Sequence, residues 1–329
     1  MSPGVVRKLS QHAALSNRSI AFDSRGKHRK HAARTWHARS LVIIIGSIRG
    51  GHRTWESLDH NVLKPNGAHL ALMVPLDQQR TRLHNLASYI WPTTEYAQWS
   101  VALDEISQQL GAKNRTAWRA GVRESKQLCC RQPHHEWCCM RPHFLGPLGW
   151  SATVNLVQRW HLKQRLLSDG LLARYSRFMI TRSDQFYGCP LSFAALDEAH
   201  VWVPEGEDHG GLCDRVIICG HADVIQCLSI VDGFLLQPVS YNWEINPEKF
   251  FKERLVELQL WPRVRRFART MFTAAHASDR SLWAAFSKLP DPLFGVHLKY
   301  EREYIRTKWS CGFCAAGSHT PFCCGHLGY

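Results

Sequence analysis

Five acids and two arginines fall at three places in the middle of the chain, and their types suit one chemistry. Asp184, Glu205, Glu207, Asp208 and Asp214 are hard oxygen donors of the kind that Mg²⁺ or Mn²⁺ takes, usually together with phosphate oxygens of a substrate. Arg182 and Arg215 carry planar forks that grip phosphate or carboxylate at two points. Such a mixture fits a site for a metal and a diphosphate. The same residues also suit an exposed acidic turn in which Asp184 merely caps the next segment, because turns favour these residue types.

The elements that would position these groups can be read from the flanking patterns. Arg177 to Thr181 (RFMIT) is a short apolar run ending at Arg182-Ser183-Asp184, as a buried strand with polar residues at its carboxyl end would read. In open α/β sheets ligands bind beyond that edge. His200 to Pro204 (HVWVP) leads into the loop Glu205 to Gly211, and Asp214-Arg215 opens a third run, Val216 to Cys219. Two strand ends and a glycine-rich acidic loop could therefore meet.

Upstream, Leu41 to Ile45 (LVIII) has the unbroken apolar character of a buried parallel strand. Gly46-Ser47-Ile48-Arg49-Gly50-Gly51 follows at once, with a helix expected from near Thr54. A turn of this kind offers backbone N–H groups to an anion. It matches neither the dinucleotide fingerprint nor the P-loop, and a plain strand-to-helix turn is the alternative.

Further expected elements are a strand over Ala68 to Pro75 and one or two helices over Thr81 to Leu110, interrupted at Trp91-Pro92. Helices are expected over Val154 to Arg174 and His221 to Val231. Another begins at Asn246-Pro247-Glu248, where a capping residue, a proline and an acid stand in order, and runs to about Leu260. Val264 to Thr273 (VRRFARTMFT) reads as one basic-aromatic strand. The arrangement predicts an α/β domain over residues 41–300, with a surface insertion at about 111–149.

The chain has 329 residues, 41 Lys/Arg and 27 Asp/Glu, a net charge of +14. Nine of those bases and one acid lie in residues 1–40, so the remainder carries only +6. This leader contains Ser and Arg and has no apolar core, which resembles an organelle transit segment or a disordered basic tail more than a secretory signal. No run approaches the roughly 18 apolar residues of a membrane span, so no transmembrane segment is expected.

Twelve cysteines are clustered. Cys129-Cys130 and Cys138-Cys139 flank His134-His135. In the tail over residues 301–329, Cys311 and Cys314 precede His319, Cys323-Cys324 and His326. Both clusters have the ligand types of a structural Zn²⁺ site. Cys189, Cys213, Cys219 and Cys227 read as thiols in or near the core.

Taken together, GSIRGG-x2-TW-x-SL, NGAHLAL, YSRFMITRSDQFYGCP, HVWVPEGEDHGGLCDRVIICG, NPEKFF and VRRFARTMFT resemble a family of glycosyltransferase-like proteins from algae, protists and large DNA viruses. The resemblance covers roughly residues 41–273. It implies a GT-A-like sandwich, a central mostly parallel sheet flanked by helices, acting on a nucleotide-sugar donor and a hydroxyl acceptor.

In that fold a short acidic motif, ideally Asp-x-Asp, holds Mn²⁺ or Mg²⁺ against the donor diphosphate. Here Arg182-Ser183-Asp184 stands in its place, so the resemblance implies Asp184 as the metal ligand and Arg182 as a direct phosphate contact. It also places Gly46, Arg49, Gly50 and Gly51 near the nucleotide, and Asp214 across the acceptor cleft. A transferase that inverts configuration needs a carboxylate as general base, for which Asp214, Glu207 and Asp208 are the candidates. The alternatives are an inactive transferase-like scaffold and a basic nucleic-acid-binding protein with zinc-like Cys/His clusters.

Overall fold

Leu41, Val42, Ile43 and Ile44 are all fully buried, which is possible for consecutive strand residues only when both faces of the sheet are covered. They belong to β1, Ser40–Ile45, at the centre of a seven-stranded sheet. The structure, a computed structural model, describes residues 40–76, 80–94, 96, 99–119, 149–237, 247–276 and 288–313. The basic leader before Ser40, the cysteines and histidines of the insertion, and the tail beyond residue 313 lie outside the described residues.

The sheet also contains β2 (His69–Val74), β3 (Ala87–Pro92), β4 (Arg177–Thr181), β6 (Val201–Pro204), β7 (Ile217–Gly220) and β8 (Val264–Phe267). Its order is β3-β2-β1-β4-β7-β6-β8. β1 runs parallel to β2 and to β4, with Ile45 opposite Met73 and Ile44 opposite Thr181. β7 is antiparallel to both β4 and β6, and β8 is parallel to β6. The chain leaves β1 outward to β2 and β3, then returns to form β4 on the other side of β1.

Alternation along the strands sorts the core into two layers. Leu41, Ile43, Ile45, Phe178, Ile180, Ile217 and Cys219 face one side. There they meet α3 (Trp99–Gln109), α4 (Gly149–Ser168), α5 (Val224–Leu228), α6 (Ile230–Leu236) and α7 (Pro247–Glu257). Val42, Ile44, Leu70, Leu72, Met179 and Ile218 face the other, against α1 (His52–Leu58), the π-helical turn Asp59–Leu63 and α2 (Arg82–Leu86). Each fully buried aliphatic side chain of this kind contributes about 1.5–3 kcal/mol.

Three expected elements differ. Residues 87–92, read as helix, form the edge strand β3, in which Ile90 is 45% exposed. Tyr89, Ile90 and Trp91 favour strand, and Pro92 ends an edge strand where its missing N–H costs little. The helix expected over His221 to Val231 is two helices, broken at Ser229, whose hydroxyl donates to the Ile225 carbonyl and accepts from Lys163.

The single strand expected over Val264 to Thr273 is β8 followed by β9 (Met271–Thr273), which pairs instead with β5 (Gln185–Tyr187) in a separate two-stranded sheet. Against that small sheet packs α8, Glu301–Ser310, through Tyr304, Phe272, Phe186 and Phe294. The first third of the expected tail is thus part of the body, and Cys311 at its end is disulfide-bonded to Cys189.

Candidate functional site

The chain leaves β1 toward β2 and leaves β4 toward the other half of the sheet, so the carboxyl ends of β1 and β4 form a topological switch point. Such a switch point is where open α/β sheets bind ligands. Gly46 to Gly51 leaves from β1 and Arg182-Ser183-Asp184 from β4. The two turns are bonded directly: the Arg49 N–H donates to Ser183 Oγ at 2.7 Å, and Ser183 Oγ donates to the Ser47 carbonyl at 3.1 Å. Gly50 has φ of +88°, and a Cβ there would lie 2.9 Å from the Asp184 Cα. Only glycine lets the turns close to this distance.

Since β7 is antiparallel to β4, its first residues lie at the same edge, with Ile217 opposite Ile180. Asp214-Arg215 therefore arrives beside Arg182-Ser183-Asp184. The carboxyl end of β6 delivers Glu205 to Gly211 there as well, and that of β8 delivers Arg269. Glu207 and His209 both have left-handed backbone, φ of 56° and 44°, which costs roughly 1–2 kcal/mol per non-glycine residue.

The loop is held by its surroundings. Arg269, 1% exposed, donates to the carbonyls of Glu205 (2.6 Å) and Gly206 (2.8 Å). Asp208 accepts from Arg266 (2.8 Å) and from the Cys213 N–H (3.0 Å). Gly211 lies against the first turn of α7; a Cβ there would come within 2.0 Å of the Glu248 carbonyl carbon.

Most charges of this edge are matched. Arg182 donates to both oxygens of Asp184, Nε to Oδ1 at 3.0 Å and Nη2 to Oδ2 at 2.6 Å. The Asp184 carboxylate raises the pKa of the Arg182 guanidinium above its ordinary range, against the lowering effects of burial and of the Arg215 cation. Glu303, fully buried on α8, accepts from Arg215 (2.5 Å) and Arg269 (3.1 Å) through one oxygen and from the Thr273 N–H (2.7 Å) through the other. Burial works most strongly against the charge of Arg215, but Glu303 together with Cys213, Asp214 and Tyr300 outweighs it and raises its pKa. Glu207 forms a 3.5 Å ion pair with His209, which lowers the pKa of the acid and raises that of the imidazole.

Two acids are left. The Asp214 carboxylate takes no hydrogen bond from the described residues, while its backbone carbonyl accepts from the buried Arg159 at 2.5 Å. Glu248, in the first turn of α7, is pushed above the ordinary carboxylate range by burial and then by Asp214.

The expected site residues are therefore gathered at one edge, but with unequal freedom. Gly46, Arg49, Gly50, Gly51, Arg182 and Asp184 lie at the β1–β4 switch point, and Asp214, without a side-chain hydrogen bond from the described residues, stands on the β7 side. Glu207 and Asp208, the other candidate bases, are tied to His209 and Arg266. Arg215 is buried against Glu303 and stacks on Tyr300, its guanidinium 4.5 Å from the ring centre.

Glu303, Arg269 and Glu248 have no counterpart in the sequence reading. Glu303 stands in a basic segment, and Glu248 looks like an acid placed for the helix dipole. The spacing of Arg269, five residues after Val264, was readable only as a point on a strand.

Around Asp184 the donor set does not fit a divalent ion caged by the protein. Both its oxygens are engaged by Arg182, and among the described residues no group of three His, Cys, Asp or Glu could hold a metal. Of the tail cysteines read as zinc ligands, Cys311 is consumed in its disulfide. No described helix is long and apolar enough to cross a membrane. No protein-family model matches the chain, and no curated protein matches it.

Proposed function

We propose that the protein is a GT-A-type glycosyltransferase, moving a sugar from a nucleotide-sugar donor to a hydroxyl acceptor. The observation that carries this reading is the β1–β4 switch point, where a glycine turn bearing Arg49 is bonded to a turn bearing Arg182 and Asp184. An anion seated there meets backbone N–H groups and guanidinium forks, as a diphosphate requires.

Across the edge, Asp214 supplies the base. The acceptor oxygen attacks the anomeric carbon, its proton passes to the Asp214 carboxylate, and the bond from that carbon to the diphosphate oxygen breaks with its electron pair. Negative charge then grows on the leaving diphosphate, where positive side chains held ready in advance lower the barrier. Asp214 is favoured over Glu207 and Asp208 because those two form ion pairs with His209 and Arg266, whereas Asp214 forms none among the described residues.

Thermal unfolding of the purified protein against UDP- and GDP-sugars tests the reading. A ligand at 100 times its dissociation constant adds roughly 2.7 kcal/mol to the stability of the folded state. Stabilisation by sugars of one nucleotide is expected; no stabilisation by any donor would refute it.

A further inference from the structure

We propose that the diphosphate at this site is bound by Arg182, positioned by Asp184 and aided by Arg49, without a divalent cation. The inference rests on the glycosyl-transfer reading and gives its donor site a specific chemistry. The two members of the Arg182–Asp184 pair are unequally placed: the Asp184 side chain is 5% exposed and that of Arg182 is 33% exposed. The acid lies beneath and the guanidinium above it, toward solvent.

Two of its nitrogens, Nε and Nη2, are used on Asp184, which leaves Nη1 and the second hydrogen of Nη2 for another anion. Asp184 is thus a positioning residue. It holds the plane of the fork and keeps the cation in place, while its own oxygens are spent on that pairing.

Asp214, Glu248 and Glu205 form no ion pair at this edge, but among the described residues no three acids, His or Cys come together to hold a metal, and the remaining acids are engaged. Glu303 is buried between Arg215 and Arg269, Asp208 is bonded to Arg266, and Glu207 is paired with His209. Positive charge, in contrast, is plentiful. Arg49 is exposed on the glycine turn, and its backbone is fixed by Ser183, the residue between Arg182 and Asp184.

The backbone of Arg49 is further held by the Trp55 indole, which donates to its carbonyl at 2.8 Å. One arginine from each side of the switch point therefore brackets the position of the anion. A guanidinium binds phosphate through paired, charge-assisted hydrogen bonds, and two of them neutralise what a divalent ion otherwise would.

Isothermal titration of the full chain with uridine and guanosine diphosphate, in EDTA and in Mn²⁺, tests this. One of the two is expected to bind in EDTA, with an affinity that Mn²⁺ changes by less than about threefold. Arg182→Gln should weaken it by roughly tenfold or more, the value of a charge-assisted hydrogen bond. Because that variant leaves Asp184 buried without its cation, the double variant Arg182→Gln/Asp184→Asn, which removes both charges of the pair, should lose binding equally.

Binding that is absent in EDTA and restored by Mn²⁺ would overturn the inference and leave the glycosyl-transfer reading standing. Undiminished affinity in the double variant would also overturn it. No binding of either nucleotide in either buffer would overturn both.

Discussion

Replacing Glu303 by glutamine removes one negative charge from a place no water reaches. Its carboxylate is the shared partner of Arg215, 10% exposed, and Arg269, 1% exposed, and it also accepts the Thr273 N–H. Glutamine keeps the shape. With its carbonyl oxygen in the place of Oε1 it can still accept from both guanidiniums, without the charge, but its amide then turns a donor toward the Thr273 N–H.

Breaking a buried pair from one side costs about 3–5 kcal/mol, most of it the burial of the cation left behind. Urea unfolding should show this as a lower midpoint with an unchanged slope. Pairing Glu303→Gln with Arg215→Met should recover part of the loss, as neighbouring groups in one network are not additive. A loss below about 1 kcal/mol, the level of an exposed ion pair, would refute the reasoning and detach α8 from the body.

Gly50→Ala puts a Cβ 2.9 Å from the Asp184 backbone at a positive φ; a stability loss of about 1–3 kcal/mol and weaker nucleotide binding are expected, measured by urea unfolding and titration. Gly211→Ala meets the Glu248 backbone at 2.0 Å, so the loop must move off α7, and hydrogen exchange over residues 205–214 should accelerate. Glu248 has a folded-state pKa above its ordinary 4.5, so the unfolded chain ionises first and wild-type stability falls as pH rises through that value. Glu248→Gln escapes this fall: its stability relative to wild type should grow from acid to neutral pH, and a gap equal at both would contradict the assignment.

The strands that carry the site were legible because their signal is local. Leu41 to Ile45 and Arg177 to Thr181 are unbroken apolar runs that stop at polar turns, and both lie where expected, within a residue. Their polar ends could be matched to one sheet edge before any coordinates, since a mostly parallel sheet has only one carboxyl edge. What could not be read was partnership.

Nothing in the spacing of Arg182-Ser183-Asp184 says that the arginine folds back onto the acid two residues on, nor that Glu303 returns from about 90 residues downstream to meet Arg215. Both depend on tertiary placement. Residues 87–92 misled for a different reason: three large apolar residues at short spacing satisfy either period, and Pro92 breaks a helix but is harmless at the end of an edge strand.

The most direct test of glycosyl transfer is release of nucleoside diphosphate from a donor sugar, followed for the wild-type protein and for Asp214→Asn with simple hydroxyl acceptors. The expected result is acceptor-stimulated release by the wild-type protein. It should fall by at least about a hundredfold, the typical share of a general base, in a variant that still binds the nucleotide with unchanged affinity. Absence of release from every donor that binds, or release that persists in Asp214→Asn, would contradict the account.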